Sequence, residues 1–135
     1  MKRIALVSAV VLAVIMICTL AAAQQAQDDL IGKWTQVGVE ASYMTISGTG
    51  GKYTAVYVTG ETTCTLNDVQ ISGNTLVMKG RYSIRKGFTT DMVLNLTLSN
   101  DRILLSGTKA EVTNWIAKDG IPMQAEDNNE VVFTK

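Results

Sequence analysis

Apolar residues in this chain recur at every second position, and each such run stops at a cluster of turn-forming residues. Leu76, Met78, Gly80, Tyr82 and Ile84 alternate with Lys79, Arg81, Ser83 and Arg85. Met92, Leu94, Leu96 and Leu98 alternate with Val93, Asn95, Thr97 and Ser99, and Tyr53, Ala55, Tyr57 and Thr59 with Thr54, Val56 and Val58. No stretch beyond the N-terminal leader has the i, i+3, i+4, i+7 spacing of an amphipathic helix. A two-residue period sends one face of each run into a core and the other toward water, as in antiparallel sheet. Tyr57 therefore shares its face with Ala55 and Thr59.

Gly48-Thr49-Gly50-Gly51, Ser72-Gly73-Asn74, Lys86-Gly87 and Asn100-Asp101 separate the runs and supply the backbone freedom of tight hairpins. The spacing predicts strands over 33–39, 42–47, 52–59, 62–71, 75–85, 91–99, 102–109, 111–117 and 130–134. Residues 118–129, polar and containing Gly120 and Pro122, read as a longer loop. Consecutive hairpins make a meander, and a meander that closes on itself removes its unpaired edges. These ranges amount to eight or nine short strands, and the expected fold is all-β: an eight-stranded antiparallel up-and-down β-barrel.

The N-terminus does not share this pattern. Met1-Lys2-Arg3 is basic, residues 4–20 are almost uninterruptedly apolar, and Ala21-Ala22-Ala23 precedes polar Gln24-Gln25. That order is a secretory signal peptide over residues 1–23 with cleavage near Ala23. A tail over 24–29 and a barrel domain over 30–135 follow. The expected address is secreted or periplasmic, with no stable membrane insertion once the leader is removed. Without Lys2 and Arg3 the chain has ten bases against twelve acids, which disfavours nucleic-acid binding.

There is no histidine, so Ser-His-Asp and Cys-His catalysis and imidazole metal sites are excluded within one chain. Cys64 is the single cysteine after the leader, and it has no internal disulfide partner. It reads as a small buried hydrophobe, with an intermolecular disulfide or a reactive thiol as alternatives. The acidic residues lack calcium-loop spacing, and Glu61, Asp91 and Glu111 are scattered near strand ends. No metal, cofactor or enzymatic activity is expected. Arg81, Arg85 and Lys86 read as a solvated basic group.

Leu30-Ile31-Gly32-Lys33-Trp34-Thr35 resembles the first strand of lipocalin-like and avidin-like barrels. In those families the Gly-x-Trp tryptophan packs across the closed end, which implies structural roles for Gly32 and Trp34. The avidin-like likeness extends through Ser42, Met44-Thr45-Ile46, residues 51–59, Val112-Thr113-Asn114-Trp115 and the ending Val132-Phe133-Thr134-Lys135. It implies ligand-binding roles for Ser42, Tyr57 and Thr59 as hydroxyls, Gln36 as an amide and Trp115 as an aromatic wall. Departures are equally specific. Leu96 follows Asn95 where avidins place a tryptophan, Val131 falls near an asparagine position, and residues 118–129 hold no tryptophan. Avidin-like biotin affinity is therefore not expected. Small bacterial inhibitors of secreted metalloproteases share a compact Gly-x-Trp barrel with a flexible N-terminal arm, which residues 24–29 resemble.

Tyr43, Tyr53, Tyr57, Tyr82, Trp34 and Trp115 either line a pocket or fill the core. The expected function is non-catalytic binding of a small, partly apolar ligand in the open end, through Gln36, Ser42, Tyr57, Thr59 and Trp115. The alternative is a protein-binding module with a packed interior, resembling protease inhibitors. An oligomer is compatible with either.

Overall fold

The computed structural model describes residues 29–49 and 51–135. The expected leader 1–23 and all but the last residue of the expected tail lie outside the described residues. The chain divides into two units, Met1–Leu30, of which Asp29 and Leu30 are described, and the strand domain Ile31–Lys135.

The strand domain is built from β1 (Gly32–Gln36), β2 (Ser42–Thr49), β3 (Lys52–Thr59), β4 (Thr62–Leu66), β5 (Asp68–Ser72), β6 (Thr75–Tyr82), β7 (Phe88–Leu98), β8 (Leu104–Ile116) and β9 (Pro122–Thr134). They form one antiparallel sheet in the order β4-β3-β2-β1-β9-β8-β7-β6-β5. The described strands number nine, not the expected eight. The run expected over 62–71 divides at Asn67: β4 pairs with β3, and β5 pairs with β6. The two ends of the sheet are thus consecutive in the chain, one residue apart, and the sheet curls into a nearly closed barrel.

Closure requires β4 to lie against β6, and Gly80 permits it. A Cβ on Gly80 would sit 2.3 Å from the Thr65 carbonyl oxygen and 3.1 Å from Cys64 Sγ. No side chain fits at 2.3 Å from a backbone atom, so the alternating run that includes Gly80 needs glycine there.

Two further expectations are corrected. The runs at 102–109 and 111–117 are one strand, β8, whose pairing with β9 continues unbroken through Ala110. The region expected as a loop, 118–129, is mostly strand: a turn ends at Ile121, and β9 pairs with β8 from Pro122 to Thr134. Residues 122–130 are exposed on both faces, so they carry no apolar period to read. A backbone ladder on one side holds them. Conversely, β6 stops at Tyr82, short of residue 85. The Ser83 hydroxyl lies within hydrogen-bonding reach of the Arg85 and Phe88 carbonyls, so the chain turns, and Ile84 is 69% exposed instead of inward.

The core is the inner face of these strands. Trp34, Met44, Ile46, Leu66, Leu76, Met78, Leu94, Leu96, Leu105 and Phe133 are completely buried. Each such side chain contributes roughly 1.5–3 kcal/mol by leaving water.

Gly80→Ala should push β4 away from β6. Overpacking of this kind costs about 2 kcal/mol, or roughly 10 °C in a domain of this size. A circular-dichroism melt unchanged within about 2 °C would contradict closure at this point.

Candidate functional site: the polar end of the barrel

The inner face changes character along the barrel axis. Toward one end it is apolar: Trp34 on β1, Ile46 on β2, Leu66 on β4, Leu76 on β6, Leu98 on β7 and Leu105 on β8. Toward the other end the same strands present Gln36, Ser42, Thr59, Tyr82, Thr90, Glu111 and Thr113. Register fixes this sharing of a face, because directly paired residues project to the same side: Tyr82 pairs with Thr90, Thr90 with Thr113, and Met92 with Glu111.

Four of the five expected ligand contacts are hydrogen-bonded in two pairs. Tyr57, 1% exposed, donates its hydroxyl to Gln36 Oε1 at 2.6 Å. Ser42 donates to Thr59 Oγ1 at 2.7 Å, across the β2–β3 pair. The Tyr57 ring meets Phe133 edge-on at 6.1 Å. These groups satisfy each other inside a filled barrel. Among the described residues, no buried side-chain N or O atom lacks a partner.

Trp115 does not join them. It stands six residues beyond Lys109 on β8, roughly 20 Å at strand rise, while the Lys109 ammonium lies 5.6 Å from the Tyr57 ring. Trp115 stacks on its cross-strand neighbour Phe88, with ring centroids 5.5 Å apart and planes 19° from parallel. The Arg85 guanidinium covers Phe88 at 3.9 Å. Gly32 pairs with Ile46 at the start of β1, and Trp34 is buried under Lys135, whose ammonium lies 5.3 Å from its ring.

Between Trp115 and Tyr57 runs a second polar group, which joins the pocket candidate Tyr82 to Glu111, an acid expected near a strand end. Tyr82 donates to Glu111 Oε1 at 2.8 Å. Lys109 Nζ lies 3.7 Å from the other carboxylate oxygen of Glu111, with both side chains about 15% exposed. Thr90 hydrogen-bonds Tyr82, and the Thr90 and Thr113 hydroxyls lie 2.8 Å apart. Tyr82 donates to Glu111, and either threonine hydroxyl can be the donor to the other. The two threonine hydroxyls form the end of this group.

That end opens on a depression of about 310 Å³ lined by Ile84, Arg85, Phe88, Thr90 and Thr113. Its walls are mostly hydrocarbon and aromatic, with the Thr90 and Thr113 hydroxyls and the Arg85 guanidinium as the polar elements. Such a lining and volume match the smallest drug-sized ligand sites. Among the described residues no group of three or more Cys, Asp or Glu is placed to hold a metal ion.

The electrostatics follow from burial around Glu111. Burial first, then the hydrogen bond to Glu111 and its charge, push the Tyr82 pKa well above its ordinary 10.0, while the Thr90 hydrogen bond opposes them. Cys64, buried on β4, is raised above its ordinary 9.0 by burial and then by the charge of Glu111. Its thiol stays protonated at neutral pH, and a protonated thiol is a poor nucleophile.

The missed residues had a legible parity. Continuing the Met92–Leu98 alternation backward reaches Thr90 and Phe88. The expected break at Ala110 instead puts Lys109 and Glu111 at strand ends. On the outer face, Arg81 and Asp91 form a cross-strand pair at 2.6 Å that lowers the Asp91 pKa through its hydrogen bond. It is solvent-exposed and contributes little stability.

Compared with protein-family models, curated proteins and solved structures, the chain has no significant match in any of the three.

A raised folded-state pKa means that the folded protein holds its proton more tightly. The stability from Tyr82 is therefore full below pH 10.0, its ordinary pKa, and is lost as pH rises through the raised value. The urea midpoint should fall between neutral pH and about pH 11, and Tyr82→Phe should lessen that fall. An identical alkaline loss in wild type and Tyr82→Phe would contradict the proton assignment.

Proposed function

We propose that the protein is an exported, non-catalytic binding protein of lipocalin-like or avidin-like architecture. Its ligand is a small, flat, apolar molecule carrying an N–H or O–H donor. The observation that carries this reading is the 310 Å³ depression at the polar end, with Thr90 and Thr113 in its lining. The ligand ring lies against Phe88 and Ile84, its donor reaches Thr113, and Trp115 flanks it by stacking on Phe88.

This reading keeps the open end as the binding region but changes the contacts. Gln36, Ser42, Tyr57 and Thr59 support the site from below, since their hydrogen bonds are already made to one another. Trp115 remains a contact. The leader composition supports export. The lack of histidine and the protonated, buried Cys64 support binding over catalysis.

A protein-binding module is the second reading. The filled interior favours it, with Trp34, Tyr57 and Phe133 at 0–1% exposure. Deleting residues 24–29 would then abolish partner binding and leave the melting temperature unchanged.

Tryptophan fluorescence separates the readings. Trp34 is fully buried and supplies a constant background, so phenols and indoles should change the Trp115 emission saturably. Trp115→Phe should abolish the signal. Thr113→Val should weaken binding about fivefold, the loss of roughly 1 kcal/mol for one hydrogen bond. A panel that produces no saturable change overturns small-ligand binding.

A further inference from the structure

Among the described residues, β9 is paired on one side along its whole length but on the other side only at its end. Its ladder to β8 runs from Pro122 to Thr134. Its ladder to β1 consists of Thr35↔Thr134 and Gln36↔Phe133, extended by Val37 N–H donating to the Val132 carbonyl at 2.8 Å. Beyond that point β1 turns away into β2.

The Val132 bond shows which backbone groups face this side. Alternate residues of a strand point their N–H and C=O to the same edge. Gln124, Glu126, Asn128 and Glu130 therefore present theirs away from β8, with no backbone partner among the described residues. Sheet edges of this length are templates for another strand.

Charge decides which strand. β9 carries Glu126, Asp127 and Glu130 and no Lys or Arg. A second copy pairing antiparallel about Asn128 would set Glu126 opposite Glu130 twice, and like charges directly opposite are destabilising. The carboxylates that bar self-pairing favour a basic partner. Side-chain space is also present. A depression of about 290 Å³ lies on the outer face where the free edge begins, lined by Ser106, Gly107, Thr108, Glu130, Val131 and Val132. It can receive an outer-face side chain of an added strand beside Glu130.

We propose that the free edge of β9, residues 124–130, binds an extended basic peptide by strand addition. Backbone hydrogen bonds supply affinity, and the three carboxylates supply selectivity. This site lies on a strand edge, not in the depression at the barrel mouth, so it stands whether or not that depression holds a ligand.

The probe is a fluorescein-labelled peptide of about ten residues alternating lysine and valine, with a glutamate–valine peptide for comparison. Fluorescence polarisation with the purified full chain should show saturable binding of the basic peptide and none of the acidic one. Raising salt from about 50 mM to about 500 mM should weaken it at least about tenfold. Asn128→Pro removes an edge-facing N–H and leaves the β8 ladder intact, so it should weaken binding at least about tenfold with an unchanged melting temperature. Should that variant unfold, E126K/E130K serves instead and should transfer preference to the acidic peptide. Equal binding of both peptides, or undiminished binding by a folded Asn128→Pro variant, overturns the proposal. So does failure of E126K/E130K to alter the preference.

Discussion

The barrel depends on one close backbone approach, where Gly80 of β6 meets Thr65 of β4. The chain leaves one edge of its sheet and enters the other within a single residue, Asn67. Without contact across Gly80, β4 and β5 would be two open edges on a flat, half-buried sheet. With it, Leu66, Leu76 and Met78 are shut away from water. Closure also brings the Cys64 thiol beside Gly80 and fills the space between the two strands.

What closure does not cover follows from a mismatch in strand length. β1 has five residues and β9 thirteen, yet they are neighbours. Where β1 ends, β7, β8 and β9 continue as an extension with nothing described opposite the first part of β9. That extension bears the Phe88–Trp115 stack, the Thr90–Thr113 hydroxyls and the free edge of β9. Stability and the proposed binding thus use different parts of one sheet. The apolar end is dry and filled, and the polar end is open and lined by groups that hydrogen-bond in series.

The sequence makes the alternating runs legible because half-buried strands must alternate. Residues 52–59, 75–82 and 92–98 are strands as their period requires, and Tyr57 faces inward with Ala55. The first and last strands pair, as a closing meander demands. The pattern fails where burial fails. Residues 122–130 are solvated on both faces, so composition resembles a loop although the backbone is strand. Lys109, Glu111 and Thr113 face the interior, which breaks the apolar period of β8. The residues that disguise the strand are the ones that make the polar site. Gln36 is bonded to Tyr57 and Ser42 to Thr59, so these four polar groups are partnered with one another in pairs, with Trp115 far along β8.

The protein thus combines a packed barrel with a proposed binding surface at its polar end. Nitrogen-15 heteronuclear NMR with a saturating phenol or indole reads both halves at once. Shifts should be confined to Ile84, Arg85, Phe88, Thr90, Thr113 and Trp115, with Ala55, Leu76, Leu96 and Leu105 unmoved. Shifts centred on the buried middle, around Met44, Tyr57 and Phe133, would contradict it.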